Sequence, residues 1–261
     1  MKWFGAVLVL FLCTVGGAEA QSVSITKPNR AALLEGQNYT ITWNADDVKS
    51  ASVVAYGPRT PLGGKSRGNF SIVIANRAPA GSRAVNWRVP WIDAIRLSVK
   101  IKGYDSQGRL TATSQRNYGF RPKVLANRTQ DGIYLDLHKR TDQRLYVQQH
   151  GKLTRAYLSS SSSGYDWLPP KTHIPKPHDH AGVFSVLEKT PNHHSQLFDV
   201  DMPWAMRYHG GHFIHATTSA YYKYLGTSAS HGCNRLTISD ARQLYKATPV
   251  GTRVEVIGPK G

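Results

Sequence analysis

The chain has 261 residues, 40% of them hydrophobic, and 33 basic against 16 acidic side chains give it a formal charge of +17. That apolar content is enough for packed cores, which excludes a wholly disordered chain and allows one large or two modest domains. The charge points to an anionic partner by long-range attraction, or to nothing beyond solubility.

Residues 1–20 read as a secretory signal peptide. Lys2 is the positive start, Ala6 to Leu12 is the apolar centre, and Ala18-Glu19-Ala20 fits a small-x-small cleavage pattern. The apolar run is shorter than the roughly 20 residues that span a bilayer, so no stable membrane insertion is expected. Cleavage would remove Lys2 and Glu19 together and leave the charge at +17. An exported basic protein rarely meets nucleic acid, so anionic cell-envelope polymers are the expected partners and nucleic acid is not.

Residues 21–122 alternate with period two. Tyr39, Ile41 and Trp43 face one way and Thr40 and Thr42 the other; Leu97, Val99 and Ile101 alternate with Ser98, Lys100 and Lys102. Shorter runs at 51–56, 70–75 and 85–89 repeat the pattern between turn signals such as Glu35-Gly36 and Gly57-Pro58. About seven short strands at this spacing predict an antiparallel β-sandwich. Trp43, Trp87 and Trp91 read as sandwich core, with sugar binding as the alternative.

Residues 123–130 are expected to be a linker, and 131–259 a second domain. Ile133, Leu135 and Leu137 alternate with Tyr134 and Asp136, Arg144–Val147 follows, and Gly151 marks a hairpin. The serine tract 159–163 before Gly164 reads as a mobile loop. Gly182–Val186 and Gly211–His215 are further strands. Thr237 with Asp240 forms a capping box ahead of a helix carrying Ala241, Leu244, Tyr245 and Thr248 on one face, and Pro249 ends it. Val254–Ile257 closes as a strand. The fold class is therefore mainly β, with one helix late in the chain.

Chemistry concentrates at Ser230-His231-Gly232-Cys233-Asn234-Arg235. Cys13 leaves with the leader, so Cys233 is the single thiol of the exported chain. A lone thiol beside histidine and glycine is the raw material of a Cys/His nucleophile, and His215 lies eighteen positions upstream as a second histidine. His231 is open to either a structural or a proton-transfer role, and Arg235 to either a substrate carboxylate or an internal ion pair. Nine of the eleven histidines fall between His173 and His231. His178-x-His180 and His209, His212 and His215 raise the question of a metal. No carboxylate or thiolate stands in a zinc-binding spacing, and residues three apart on a strand face opposite ways, so neither metal nor cofactor is expected.

Two stretches carry family resemblances. Ile25-Thr26-Lys27-Pro28, Gly36 before Tyr39–Trp43, and Trp87-Arg88-Val89-Pro90 resemble an Ig-like module, the N-terminal domain of Ser/Thr-rich GPI-anchored cell-wall proteins; this implies a wall-associated spacer. Ser230-His231-Gly232-Cys233-x-Arg235, with fourteen residues between His215 and Ser230, resembles the signature of the L,D-transpeptidase (YkuD-like) catalytic domain. Asp136, Gln143–Tyr146, Gly182–Phe184, Met202–Tyr208 and Gly251-Thr252-x-Val254 agree in order. The chain departs from that pattern at Ala216 and Asn234.

The second resemblance implies cysteine acyl transfer on peptidoglycan stem peptides in the periplasm or cell wall. It makes Cys233 the nucleophile and His215 its base. Backbone N–H groups around Gly232 and Cys233 would stabilise the oxyanion, with His231 on the oxyanion side or in proton transfer, and Ser230, Asn234 and Arg235 would contact substrate. A stem-peptide hydrolase (L,D-carboxypeptidase or amidase) on the same scaffold and a non-catalytic wall-binding protein stay open as other readings.

Overall fold

The computed structural model describes residues 21–138, 143–161 and 181–258. The leader, His173, His178, His180 and the later part of the serine tract lie outside the described residues.

Eight strands build the first half: β1 (Ser22–Lys27), β2 (Ala32–Leu34), β3 (Asn38–Asp46), β4 (Ser50–Pro58), β5 (Asn69–Pro79), β6 (Ala84–Arg88), β7 (Arg96–Tyr104) and β8 (Leu110–Arg121). They form a three-stranded sheet in the order β1-β3-β6 and a five-stranded sheet in the order β2-β8-β7-β4-β5. The sheets share one core, to which Ile41 and Trp43 come from the first and Val53, Val99, Ile101 and Phe120 from the second. Trp43 and Trp87 are buried, so their aromatic area stabilises the fold. One pair breaks the expected antiparallel pattern, because β2 runs parallel to β8. A three-residue strand at the sheet edge needs no hairpin to place it.

The second half continues with β9 (Gly132–Asp136), β10 (Arg144–Gln149), β11 (Lys152–Leu158), β12 (Gly182–Ser185), β13 (Glu188–Ser195), β14 (Val200–His209), β15 (His212–Ala216), β16 (Asn234–Leu236), helix α1 (Ile238–Ala247) and β17 (Arg253–Ile257). One sheet has the order β11-β10-β9-β17-β12 and the other β13-β14-β15-β16. Ile133, Leu145 and Val254 from the first sheet, Met206, Ile214 and Leu236 from the second, and Ala241 and Leu244 from α1 enclose a common core. Strand β13 is absent from any period-two reading because it is polar and contains Pro191. Proline is tolerated there because β13 is an edge strand.

Residues 123–130 are an ordered strap between the halves. Leu125 is fully buried, Arg121 Nε donates to its carbonyl at 2.7 Å, and Arg128 pairs with Glu255 at 2.6 Å. Further contacts tie the halves together. Asp93 is buried between Arg67, at 2.5 Å, and Arg144, at 3.2 Å. Gly63 N–H donates to Asp240 Oδ2 at 2.9 Å. The capping box is accordingly half of what the spacing predicts. Thr237 Oγ1 accepts from Asp240 N–H at 3.1 Å, while the Asp240 carboxylate is turned to the loop between β4 and β5. Among the described residues no helix is long and apolar enough to cross a membrane.

Candidate active site

Strands β15 and β16 run parallel, with Ile214 opposite Asn234, His215 opposite Arg235 and Ala216 opposite Leu236. Alternation along a strand sends successive side chains to opposite faces. Ile214, Ala216 and Leu236 point into the core, so His215 and Arg235 point to the other face. Cys233, one residue before β16, packs there with Phe213, Met202 and Ala205. Met202 and Ala205 share that cluster although they are three apart on β14; Trp204 between them adopts a left-handed φ of 57°, which interrupts the alternation. The histidine and the cysteine therefore stand on one face, on neighbouring strands.

The surroundings set their protonation. His215 is buried, and its Nδ1 lies 2.7 Å from the Ala216 carbonyl. A carbonyl only accepts, so Nδ1 carries the proton and Nε2 keeps its lone pair. Burial, with Arg235 and His193 nearby, pushes the imidazole down to about 4. The Cys233 thiol donates to the Gly211 carbonyl at 3.7 Å. Burial pushes this thiol up from its ordinary value, against the smaller opposing influence of the Phe213 backbone and Arg235. At neutral pH both groups are thus uncharged, a thiol and a neutral base on one face of the sheet.

Arg235 is the cation of this face. Its Nη1 donates to the Ala229 carbonyl at 2.9 Å and its guanidinium lies 5.6 Å from the Tyr221 ring centroid. Among the described residues no carboxylate pairs with it, so none of them forms the internal ion pair weighed from the sequence. His231 stacks on Phe198 from the β13–β14 turn, with centroids 4.5 Å apart and planes 18° apart. Burial and Arg235 hold its imidazole below the ordinary histidine value.

Gly232 has φ +142°, and a Cβ there would stand 2.9 Å from His212 Nε2. Glycine is required here on both counts.

Two residues expected to contact substrate are placed elsewhere. Asn234 is fully buried, and its Nδ2 donates to Tyr208 Oη at 3.1 Å in the core. The parity of β16 aims it inward. Ser230 is also buried; its hydroxyl donates to the Cys233 carbonyl at 2.5 Å and accepts from Gly232 N–H at 3.1 Å. It shapes the turn and leaves no free edge for a ligand. Gly232 N–H is therefore committed within the chain.

The structure also gathers residues that the sequence does not single out. His212 lies against Gly232. The turn at Gly210-Gly211 folds β15 back on β14, so His209 and His212 face each other with centroids 6.1 Å apart, contrary to the reading of one continuous strand. His193 lies against Phe213, with ring centroids 4.5 Å apart and planes tilted by 30°. Ser159, Ser160 and Ser161 are buried along β16, where a mobile loop is expected from composition. Only the concentration of histidine and serine hints at these roles. Among the described residues no group of three or more His, Cys, Asp or Glu converges to hold a metal ion.

These features define a β-sheet protein with a cysteine and a histidine presented on parallel strands. Residues 131–256 match the model of the L,D-transpeptidase catalytic domain, YkuD. No curated protein matches the chain. Among solved structures, an L,D-transpeptidase from Stackebrandtia nassauensis is 23% identical over 51% of this chain and 60% of its own, with a TM-score of 0.40. One from Xylanimonas cellulosilytica is 24% identical over 52% and 64%, with a TM-score of 0.41. One from Mycobacterium smegmatis is 16% identical over 90% and 99%, with a TM-score of 0.37. The chain thus spans less than two thirds of the length of the first two.

Proposed function

We propose that the protein is an exported peptidoglycan L,D-transpeptidase in which Cys233 carries the acyl group and His215 carries the proton. The observation that supports this most is the shared face of β15 and β16, which carries both a thiol and a buried imidazole whose fixed Nδ1–H leaves the lone pair on Nε2.

The uncharged resting pair sets the first step. Thiolate formation ahead of attack is disfavoured by burial, so His215 Nε2 takes the proton as Sγ bonds to the carbonyl carbon of the donor stem. The carbonyl oxygen becomes an oxyanion, which backbone N–H groups of the motif stabilise. Collapse breaks the C–N bond; the leaving amine takes the proton from His215 and a thioester remains on Cys233. An acceptor amine then attacks the thioester and gives its proton to His215. The C–S bond breaks, and the thiol is regenerated as the cross-link forms. Arg235, which has no carboxylate partner among the described residues, suits a carboxylate on a stem peptide.

Residues 1–20 act as the signal peptide in this reading, and the destination is the periplasm or cell wall. The N-terminal sandwich, with its Ig-like sequence marks, is a wall-facing module, and the excess positive charge holds the protein to anionic envelope polymers.

The test is intact mass after incubation with imipenem, a strained β-lactam whose carbonyl acylates an active thiol with opening of the ring. Wild type is expected to gain one adduct and Cys233→Ala none. A folded, reduced wild type that gains nothing would reject the acyl-transfer reading. Product analysis with and without an added acceptor stem then separates transfer from hydrolysis.

A further inference from the structure

The buried serine segment is tied to the cysteine turn and its neighbours by hydrogen bonds. Ser161 is fully buried, and its Oγ donates to the Gly232 carbonyl at 3.3 Å. Its N–H donates to Gln143 Oε1 at 2.7 Å, and its carbonyl accepts from Ala229 N–H at 3.1 Å. Gln143 is itself fully buried; its N–H donates to the Gly226 carbonyl at 2.8 Å and its carbonyl accepts from Ser159 N–H at 3.2 Å. Ser160 exchanges backbone hydrogen bonds with Arg235, at 3.1 and 2.8 Å. The segment is thus fastened to residues on both sides of the motif, and one hydroxyl reaches into it.

That hydroxyl acts on a particular peptide plane. In a trans peptide the C=O and the N–H point in opposite directions. Holding the Gly232 carbonyl toward Ser161 turns the Cys233 N–H away from the serine segment. Gly232 N–H is already committed to Ser230 Oγ. The Cys233 N–H is therefore the motif donor whose direction the serine segment fixes. Acyl transfer needs such a donor aimed in advance, because the charge on the substrate oxygen develops only in the transition state.

We propose that Ser161 is a positioning residue for the oxyanion: its hydroxyl sets the Gly232–Cys233 peptide so that the Cys233 N–H faces the reacting carbonyl, with Gln143 holding Ser161 in place. The assignment rests on the acyl-transfer reading of Cys233.

Two reagents on the purified protein separate this role from a merely structural one. Imipenem requires attack at a carbonyl and generates an oxyanion. Iodoacetamide is displaced at a saturated carbon, with loss of iodide, and generates none. Ser161→Ala is expected to slow acylation by roughly tenfold, a fraction of the loss typical of removing an oxyanion donor outright. Its alkylation rate should stay within about twofold of wild type, since the thiol and His215 are untouched. Ser161→Thr, which keeps the hydroxyl, should restore acylation, and Gln143→Ala should reproduce the split. Equal slowing with both reagents would show a loosened site and overturn the assignment, as would no slowing with either. If wild type is alkylated but never acylated, the acyl-transfer reading fails and the assignment falls with it.

Discussion

Gly232 and His212 occupy the same space up to the limit that atoms allow: a methyl group on Gly232 would stand 2.9 Å from His212 Nε2. The backbone at Gly232 also has φ +142°, which side-chain-bearing residues rarely adopt. Gly232→Ala is therefore expected to destabilise the fold by about 1–3 kcal/mol through backbone strain and to add a steric cost against the imidazole. Replacing His212 by Ala in the same chain should return only the steric part. Urea unfolding of the two single variants and the double variant measures both; full recovery would show that the backbone conformation carries no strain.

The acid limb of stability should carry the signature of His215. Its folded-state value is about 4, against an ordinary 6.5. Below 6.5 the unfolded chain binds the proton and the folded chain does not, so stability is lost as pH falls through the window from 6.5 to 4. The loss from this group amounts to about 3 kcal/mol. His215→Gln should flatten that part of the profile, and chemical unfolding followed from pH 7 to pH 4 reads it.

The two reactions of the thiol should respond to pH differently. Burial raises Cys233 and lowers His215, so at neutral pH neither carries charge. Alkylation by iodoacetamide uses the thiolate and should climb through the alkaline range, with a midpoint above that of an ordinary thiol. Acylation with His215 as base should be nearly flat from pH 5.5 to 8, since the imidazole stays neutral throughout. Parallel profiles for both reagents would show a preformed thiolate instead.

Asp93 joins the halves of the chain by charge. It is 4% exposed, and Arg144, its partner from β10, is 5% exposed. Removing the carboxylate leaves a buried guanidinium uncompensated, which costs about 3–5 kcal/mol. Asp93→Ala should lower the unfolding midpoint accordingly, and Arg144→Met in the same chain should recover much of it. Additive losses in this pair would mean that the two charges do not couple.

The candidate site is legible where chemistry and spacing coincide, at Cys233, His215 and the glycine between His231 and the thiol, in that the strands bring the first two to one face. The strands with apolar alternation, such as β3 and β7, were legible because one face is buried and the other is more exposed, whereas β9 is buried on both faces. What escaped was decided by partners distant in sequence. Asn234 looks like a cleft residue until the register of β16 against β15 turns it inward to Tyr208. The serine tract looks mobile because serine favours loops, yet Gln143 and Arg235 supply the backbone and side-chain bonds that let it be buried. Asp240 matches a capping box by spacing, but a loop 177 residues away claims its carboxylate.

The parallel pairing of β15 and β16 makes the stretch between them a return journey. A chain that leaves the end of one strand must travel back to the beginning of its neighbour before running the same way again. Residues 217–233 cover that distance, with a 3-10 turn at Ser219–Tyr224 on the way. The gap between His215 and Cys233 is therefore a distance to be walked. A shortened path would pull β16 out of step by whole residues, and because neighbouring residues on a strand point opposite ways, a single step would exchange Cys233 for Asn234 on the face where the histidine waits.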